Sequence, residues 1–341
     1  MWDPNRVNDP SVEEGLVAFE CGFPCQPYAP QGLHQGEADE LGRGEVIHSI
    51  TSFLGKAFPK IFVLENVAAL TQGNHRAFFD KIIETLRNLR RSANAEPYYN
   101  IRAKVLDTYE HGGLPQSRKR VYIVGISDAM LAQSGVKFSW PCRRPALPLE
   151  VFYDRNADGT VCKRERHESL SSETFRQNIQ QTYRYFKSSG IKPDERHMIV
   201  NIGGTPNANG GPAHFSESRA PTLTSSRCGS RAYYSTWLKR RLSLTELARL
   251  QGLAPRLFQD VLGCLSEHQA GKVIGNAMSV PVLALVLRQA LLASGIAIRQ
   301  THGQRAIQLK NMLHVCWRLL EVCVRFILGS ESIHCCDNLV V

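Results

Sequence analysis

The sequence contains no run of about eighteen or more uninterrupted apolar residues, which is the length that a membrane-spanning helix needs. Its longest apolar-rich stretch, residues 313–328, is interrupted by Arg318, Glu321 and Arg325. No signal peptide and no internal repeat of fixed period are recognisable. These absences predict an intracellular protein without a membrane partner, and they exclude repeat architectures.

Acidic residues are too few to balance the basic ones. Aspartate and glutamate total 31 against 41 lysines and arginines, so the formal net charge is +10, which points to a polyanionic partner. With 341 residues, of which 43% are apolar and 21% charged, the chain can bury one large core or two modest ones. This composition excludes disordered, collagen-like and coiled-coil chains. The ten cysteines are spread along the chain and are predicted to be reduced thiols.

Short apolar runs alternate with helical patterns in the first part of the chain. Residues 15–19 and 60–64 predict buried strands, and residues 46–58 between them are apolar at helical spacing. Residues 76–91 place five apolar side chains on one helical stripe, and residues 121–126 predict another buried strand. The alternation predicts an α/β fold with a mainly parallel sheet and helices on both faces.

The composition changes near residue 140. Residues 141–229 are rich in proline, glycine, serine, arginine and asparagine, which indicates a second, loop-rich domain. A helical pattern returns after Ser243, which has Glu246 at capping-box spacing and Gly252 as a plausible stop. Residues 281–293 predict one more apolar helix.

Three motifs place chemically useful side chains at predicted strand edges. Cys25, in Gly-Phe-Pro-Cys-Gln-Pro, follows the first strand, where open α/β folds keep reactive groups. Glu65 follows the strand at 60–64, so a carboxylate emerges at the same edge. Gln-Ser-Arg-Lys-Arg leads into the strand at 121 and points Arg118 and Arg120 to one side. Taken singly, a packing cysteine, a helix-capping carboxylate and a solvated charge run are the more ordinary interpretations.

Together and in this order, the motifs resemble those of the cytosine-5 DNA methyltransferase family over nearly all of residues 14–295. The resemblance rests on the catalytic-cysteine motif (Phe23-Pro-Cys-Gln-Pro27), the ENV motif (Glu65-Asn66-Val67), the QxRxR motif (Gln116–Arg120) and three later motifs (Pro221–Thr224, Arg241–Gly252, Gly275–Met278). It implies an α/β, Rossmann-like, S-adenosylmethionine-dependent methyltransferase fold with a smaller, loop-rich target recognition domain.

The resemblance also implies a reaction and a set of site residues. The reaction is methyl transfer from S-adenosylmethionine to carbon 5 of a cytosine flipped out of double-stranded DNA, through a covalent cysteine adduct. The implied catalytic residues are Cys25, Glu65, Arg118 and Arg120. The implied substrate-binding residues are Phe23, Gln26, Asn66, Gln116 and Thr222. Pro24, Asn276 and Met278 are implied to bind the cofactor, and no metal is implied.

The same resemblance implies domain boundaries, and it indicates that part of the family's pattern is missing before the cysteine motif. It implies a catalytic domain at 1–140, a target recognition domain at 141–240, a return to the catalytic domain at 241–297 and an extension at 298–341. The family's main cofactor-binding elements precede the cysteine motif, and here only 24 residues do so. An amino-terminally truncated chain with an incomplete sheet is therefore expected. It is either the larger part of an enzyme or a catalytically silent homologue that binds DNA or a partner, and the complete downstream catalytic set favours the enzyme.

Three alternatives are ranked lower or left open. The tRNA-methylating branch resembles the DNA enzymes, but its usual Cys-Phe-Thr tripeptide is absent. The carboxyl-terminal His314, Cys316, Cys323, His334, Cys335 and Cys336 do not make two ligand pairs at zinc spacing. Residues 308–328 predict a packing or partner helix, or translated intronic sequence. A nuclear location is expected only if the source is eukaryotic.

Overall fold

The computed structural model describes residues 16–23, 46–163, 172–254 and 265–296, which fall into two compact units. The described part of the first unit is 16–23, 46–107, 119–142 and 282–296. The described part of the second unit is 108–118, 143–163, 172–254 and 265–281. The domain boundaries inferred from sequence stay predictions, and this grouping differs from them chiefly by placing the described residues of 241–281 with the second unit.

The first unit is built on a four-stranded mixed sheet. Its strands are β1 (Ala18–Gly22), β2 (Ile61–Val67), β3 (Tyr99–Asp107) and β4 (Lys119–Ser127), in the spatial order β1-β2-β4-β3. Only β1 and β2 are parallel, because β4 runs antiparallel to both β2 and β3. The expectation of a mainly parallel sheet was therefore wrong. No long helix carries the chain from β3 back to the start of β4, and without such a crossover neighbouring strands pair antiparallel.

Two amphipathic helices contribute to the core of the first unit. Helix α1 (Val46–Ala57) buries Ile47, Ile50 and Leu54, and α2 (Arg76–Arg87) buries Phe79, Ile82, Ile83 and Leu86. These side chains share one hydrophobic cluster with Phe62 and Leu64 of β2. Both predicted helices are confirmed, although α2 ends before residue 91. A short helix, α3 (Asp128–Ser134), follows β4.

The second unit has its own sheet and more regular structure than the composition indicates. The sheet order is β6-β5-β7-β8, formed by β5 (Met198–Asn201), β6 (Phe215–Glu217), β7 (Tyr233–Ser235) and β8 (Arg240–Arg241). Its helices are α4 (Glu173–Ser188), α5 (Ser225–Gly229), α6 (Leu244–Leu250) and α7 (Glu267–Asn276). The loop-rich expectation missed α4, which buries Phe186 in a cluster with Met198 and Val200 of β5.

The predicted capping box at the start of α6 is confirmed. The Ser243 hydroxyl accepts a hydrogen bond from the Glu246 amide at 3.1 Å, and the Ser243 amide donates to the Glu246 carboxylate at 2.9 Å. Glu246 is fully buried and forms an ion pair of 2.7 Å with Arg240. Gly252, at φ +81°, follows the helix, as the sequence predicts.

The last described helix, α8 (Val280–Ala293), confirms the helix predicted at residues 281–293. The stretch Glu267–Ala293, which contains α7 and α8, is long and apolar enough to cross a membrane by length and composition. Its most apolar window has a mean hydropathy of 1.6, and 61% of that window is buried inside the protein.

Glu20 is the acidic residue of β1. It lies in register with Val63, and its side chain points away from the face that carries Phe19 and Cys21. Both of its carboxylate oxygens are buried, with no hydrogen-bond partner within the part of the chain that the structure describes. Burial raises the pKa of Glu20 from 4.5 to about 7. The folded protein therefore holds this proton more tightly than the unfolded chain does.

Replacing Glu20 with glutamine is expected to stabilise the protein only at higher pH. Since the folded pKa is the higher one, ionisation costs stability progressively between pH 4.5 and about 7, and the full cost persists above that range. The free energy of unfolding should therefore rise by up to about 3 kcal/mol at pH 8, but by less than about 1 kcal/mol at pH 5. Denaturant titrations at the two pH values measure this difference. The exposed Glu84→Gln variant is the control, and an equal gain at both pH values would contradict the prediction.

Candidate active site

The register between β1 and β2 brings two of the predicted motifs to one edge of the sheet. Gly22, the last residue of β1, pairs with Glu65 of β2, and the two strands run parallel. Cys25 follows Gly22 by three residues in the sequence. The cysteine itself, with the neighbouring Pro24 and Gln26, lies outside the described residues. The backbone that leads to the cysteine motif thus lies beside the predicted acid.

Glu65 and Arg120 form an ion pair in the first unit. The Glu65 Oε1 to Arg120 Nε distance is 3.2 Å, and the two side chains are only 9% and 12% exposed. The sheet explains the pairing, because Glu65 lies opposite Tyr122 and Arg120 opposite Val67, which places both side chains on the same face. A carboxyl group held against a permanent cation in a nearly dry site can bind a polar ring through both partners.

Asn66 holds the backbone that precedes the cysteine motif. Its side-chain nitrogen donates to the carbonyl of Phe23 at 3.3 Å, and its side-chain oxygen accepts from the Val67 amide at 2.8 Å. Phe23 is 4% exposed and belongs to the core of the first unit. The contacts of Asn66 and Phe23 in the structure are therefore with the protein, and they fix the chain two residues before Cys25.

Gln116 is fully buried in the second unit. Its amide nitrogen donates to the Leu250 carbonyl at 3.0 Å and to the Gln251 side-chain oxygen at 2.7 Å. Gln251 in turn donates to the carbonyls of Ile274 and Ala277, at 2.9 Å each. The substrate-binding role inferred for Gln116 stays a prediction, because these contacts are to the chain itself. Sequence reasoning gave Gln251 no role, although it lies in the Arg-Leu-Gln-Gly segment.

Arg118 is equally buried, at 3% exposure. Its guanidinium donates to the carbonyls of Leu223 at 2.7 Å, Gly275 at 3.4 Å and Ala277 at 2.9 Å. The catalytic role inferred from the motif thus stays a prediction, and in the structure Arg118 joins its own segment to two others, at Leu223 and at Gly275 to Ala277. Arg120, two residues later, instead faces Glu65. The two arginines of one motif therefore have different surroundings.

Replacing Arg118 with methionine is expected to lower the free energy of unfolding by about 3 kcal/mol, because carbonyls that accept charge-assisted hydrogen bonds would be left buried and unbonded. Denaturant unfolding followed by tryptophan fluorescence measures the loss. Lys119→Met, at the exposed position next to it, should cost less than about 0.5 kcal/mol. Equal stabilities of the Arg118 and Lys119 variants would contradict the structural role.

The remaining predicted residues of the second unit lie near these contacts. The Thr222 hydroxyl donates to the carbonyl of Ser117 at 2.6 Å, so it ties its own segment to the motif of Gln116 and Arg118. Asn276 is exposed at the end of α7, and Met278 is half-buried just beyond it. No group of three or more potential metal-ligating side chains occurs among the residues described.

The described ranges contain four cysteines, of which Cys228 has a setting that disfavours a nucleophilic role. Burial raises the pKa of the Cys228 thiol well above its ordinary value, although nearby Arg118 lowers it in part. A thiol held protonated in this way is a poor nucleophile. Cys142 is exposed, and Cys21 and Cys162 are partly buried. Cys25, which follows in sequence the strand that pairs with Glu65, remains the candidate.

Comparison with known proteins gives one family. Residues 11–291 match the family model described as C-5 cytosine-specific DNA methylase. The chain is 31% identical over 285 residues to the type II methyltransferase M.NgoBI of Neisseria gonorrhoeae, covering 82% of this chain and 74% of that protein. It is 30% identical over 311 residues to M.HaeII of Haemophilus aegyptius, covering 90% and 83%. The solved methyltransferase EhMeth of Entamoeba histolytica has a similar fold, with a TM-score of 0.53 at 14% identity, covering 85% and 80%.

Proposed function

The chain belongs to the C-5 cytosine-specific DNA methylase family, and from that membership we propose that it transfers a methyl group to carbon 5 of cytosine in duplex DNA. The relatives that it resembles are named as type II methyltransferases. The observation that carries the proposal for this chain is the buried Glu65–Arg120 pair beside the strand that leads to Cys25.

Cysteine is the residue that this chemistry needs first. Carbon 5 of cytosine is too weak a nucleophile to take a methyl group, so a thiolate must add to carbon 6 and make the ring an enamine. In the proposal Cys25 is that thiolate. Loss of the proton from carbon 5 after methylation then expels the thiolate and restores the aromatic ring. The Asn66 contact to Phe23 fixes the approach of the chain to this nucleophile.

Glu65 and Arg120 act on the edge of the cytosine ring that carries nitrogen 3 and the exocyclic oxygen. Addition at carbon 6 pushes negative charge toward nitrogen 3 and the exocyclic oxygen of the ring. In the proposal Glu65 takes up a proton from solvent and passes it to nitrogen 3, while Arg120 donates a hydrogen bond to the oxygen. Their ion pair, 3.2 Å long and nearly buried, holds both groups in place before the base arrives, which reduces the reorganisation that catalysis requires.

S-adenosylmethionine, when bound, supplies the methyl group. Asn276 fits such a ligand because its exposed amide can both donate and accept hydrogen bonds, and the half-buried Met278 offers an apolar contact beside it. Pro24 is the third residue assigned to this role, from the motif. In the proposal these residues bind and orient the cofactor.

DNA is the proposed partner on two grounds. The formal net charge of +10 favours a polyanion, and phosphate contacts supply most of the sequence-independent affinity for DNA. Carbon 6 of cytosine is shielded inside a duplex, so the target base must rotate out of the stack into the pocket. The energy of unstacking then comes from contacts to the backbone and the flipped base.

The test is transfer of a labelled methyl group from S-adenosylmethionine to a long, unmethylated duplex of mixed sequence. The expected product is 5-methylcytosine, identified by mass spectrometry of the digested DNA. A duplex in which every cytosine is already 5-methylated is the matched control and should take no label. Retention of DNA in a gel shift without any transfer would instead support a silent binding homologue. Label on transfer RNA alone would overturn the choice of DNA.

A further inference from the structure

Helix α4 has a face rich in side-chain amides, and none of the site residues assigned so far lies on it. The helix buries Phe186 and Thr182, while the opposite side borders an open cleft of about 600 Å³. Three glutamines of α4, Gln177, Gln180 and Gln181, line the cleft together with Arg184. Asn209, in the loop between β5 and β6, lines it as well. A helix face that only meets water more often carries lysine and glutamate pairs. This face carries groups that both donate and accept hydrogen bonds.

The loop that forms the other wall of the cleft is held by its own hydrogen bonds. The Asn207 side-chain oxygen accepts from the amides of Asn209 at 3.0 Å and Gly211 at 2.8 Å. Gly211 packs directly on the helix, since a Cβ atom there would lie 3.0 Å from the ring of Tyr185. The side chain of Asn178 donates to the carbonyls of Ile202 and Gly204, at 2.7 and 3.0 Å. Both walls are thus formed before any ligand binds, which lowers the entropic cost of binding.

Two basic side chains of α4 are not neutralised by carboxylates of the described residues. Every carboxylate in residues 172–219 has a basic partner, in the pairs Glu173–Arg176, Asp194–Lys239, Glu195–Lys192 and Glu217–Arg196, with N to O distances of 2.6–3.2 Å. Arg184, which lines the cleft, has no ion-pair partner among the described residues. The same holds for Lys187, which lies one helical turn further along α4 and outside the lining of the cleft. A polyanion entering the cleft would therefore meet free positive charge and no unpaired carboxylate.

Amides and free cations together match the chemistry of a DNA groove. Glutamine and asparagine form paired hydrogen bonds with adenine edges, whereas arginine and lysine hold phosphates. We propose that Gln180, Gln181 and Asn209 contact base edges of the bound DNA and that Arg184 and Lys187 contact the adjoining phosphates. This inference rests on the proposed function and names the part of the chain that sets sequence preference. Gln177 takes a lesser part, because its amide already donates to Glu173 at 3.2 Å.

The test compares variants on one pool of DNA. A long unmethylated duplex of mixed sequence is methylated by each protein, and the modified cytosines are located by bisulfite sequencing. Among the cytosines that it still methylates, the double variant Gln180→Ala with Gln181→Ala should show a preference relaxed by about tenfold at one or more flanking positions. Gln133→Ala, an exposed glutamine of α3, is the control and should retain the wild-type preference. An unchanged preference in the double variant would overturn the assignment.

The phosphate contacts have a separate readout. Arg184→Ala should weaken binding to all sequences about equally and reduce the slope of log affinity against log salt by about one. Arg176→Ala, on the same helix but paired with Glu173, should change that slope little. Equal slopes for the two variants would overturn the contact of Arg184.

A binding experiment that needs no methyl transfer distinguishes failure of the cleft proposal from failure of the proposed function. If the wild-type protein transfers no methyl group, the same variants are compared for the sequences that they retain from a random-sequence duplex pool. A preference that is present in the wild type and relaxed in the double glutamine variant supports the cleft even without catalysis. Identical retained sequences refute it.

Discussion

Replacing Cys25 with serine is expected to lower methyl transfer to duplex DNA by at least about 1,000-fold, because a hydroxyl is a far weaker nucleophile than a thiolate toward carbon 6. The loss should fall on the rate of the chemical step and leave DNA affinity nearly unchanged. The pairing of Gly22 with Glu65 and the hydrogen bond from Asn66 to the Phe23 carbonyl hold the backbone before Cys25, and neither contact involves the sulfur. The fold should therefore tolerate the exchange.

Single-turnover transfer of labelled methyl groups and a gel shift on the same duplex separate these two effects. The matched control is Cys142→Ser, at an exposed cysteine, which should keep the wild-type rate. A duplex containing 5-fluorocytosine adds a direct readout, since fluorine cannot leave as a cation and the adduct persists. The wild type and Cys142→Ser should form a complex that survives denaturant, whereas Cys25→Ser should not. Turnover by the Cys25 variant at the wild-type rate would refute the covalent mechanism.

Replacing Glu65 with glutamine is expected to reduce methyl transfer by about 100- to 10,000-fold. The amide keeps the shape of the carboxyl group and can still hydrogen-bond to the ring, but it has no acidic proton to give to nitrogen 3. The exchange also removes the negative partner of Arg120, which lies 3.2 Å away in a site that is about one-tenth exposed. An uncompensated guanidinium in such a place costs stability as well, so folding must be measured alongside the rate.

The measurement is single-turnover methyl transfer at saturating DNA, with denaturant unfolding of each variant. The double variant Glu65→Gln with Arg120→Met removes both charges. It should recover part of the lost stability and none of the lost rate. Glu84→Gln on the surface of α2 is the control for both readouts. A full rate in the Glu65 variant would show that nitrogen 3 receives its proton from another group.

The sequence predicted the local elements well wherever side chains repeat at a regular period. Helices α1 and α2 follow from apolar residues at helical spacing, and the cap of α6 follows from Ser243 and Glu246. Helix α4 was missed because its buried side is made of aromatic residues and Thr182 among many polar ones, so the stripe is weak in a polar segment. Strand β3 was missed for a related reason, since Arg102 and Lys104 alternate with its buried face.

The pattern of apolar residues could not predict the direction of the strands. A buried strand has the same composition whether its neighbour is parallel or antiparallel, and the connection between strands decides between the two. The expected mainly parallel sheet assumed a helix between every pair of strands. Instead the chain leaves the sheet after Asp107 and returns at Lys119 without a long helix, so β4 enters antiparallel between β2 and β3.

The sequence by itself determined the family, through motifs whose order and spacing can be recognised without coordinates, and with the family the identity of the residues proposed for chemistry. Only the tertiary structure decided what several of those residues touch. Arg118 and Arg120 are two positions apart in one motif, yet one donates to carbonyls more than a hundred residues away and the other faces Glu65. The physical reason is that hydrogen-bond partners are set by the register and packing of distant segments, which leave no signal in the local sequence.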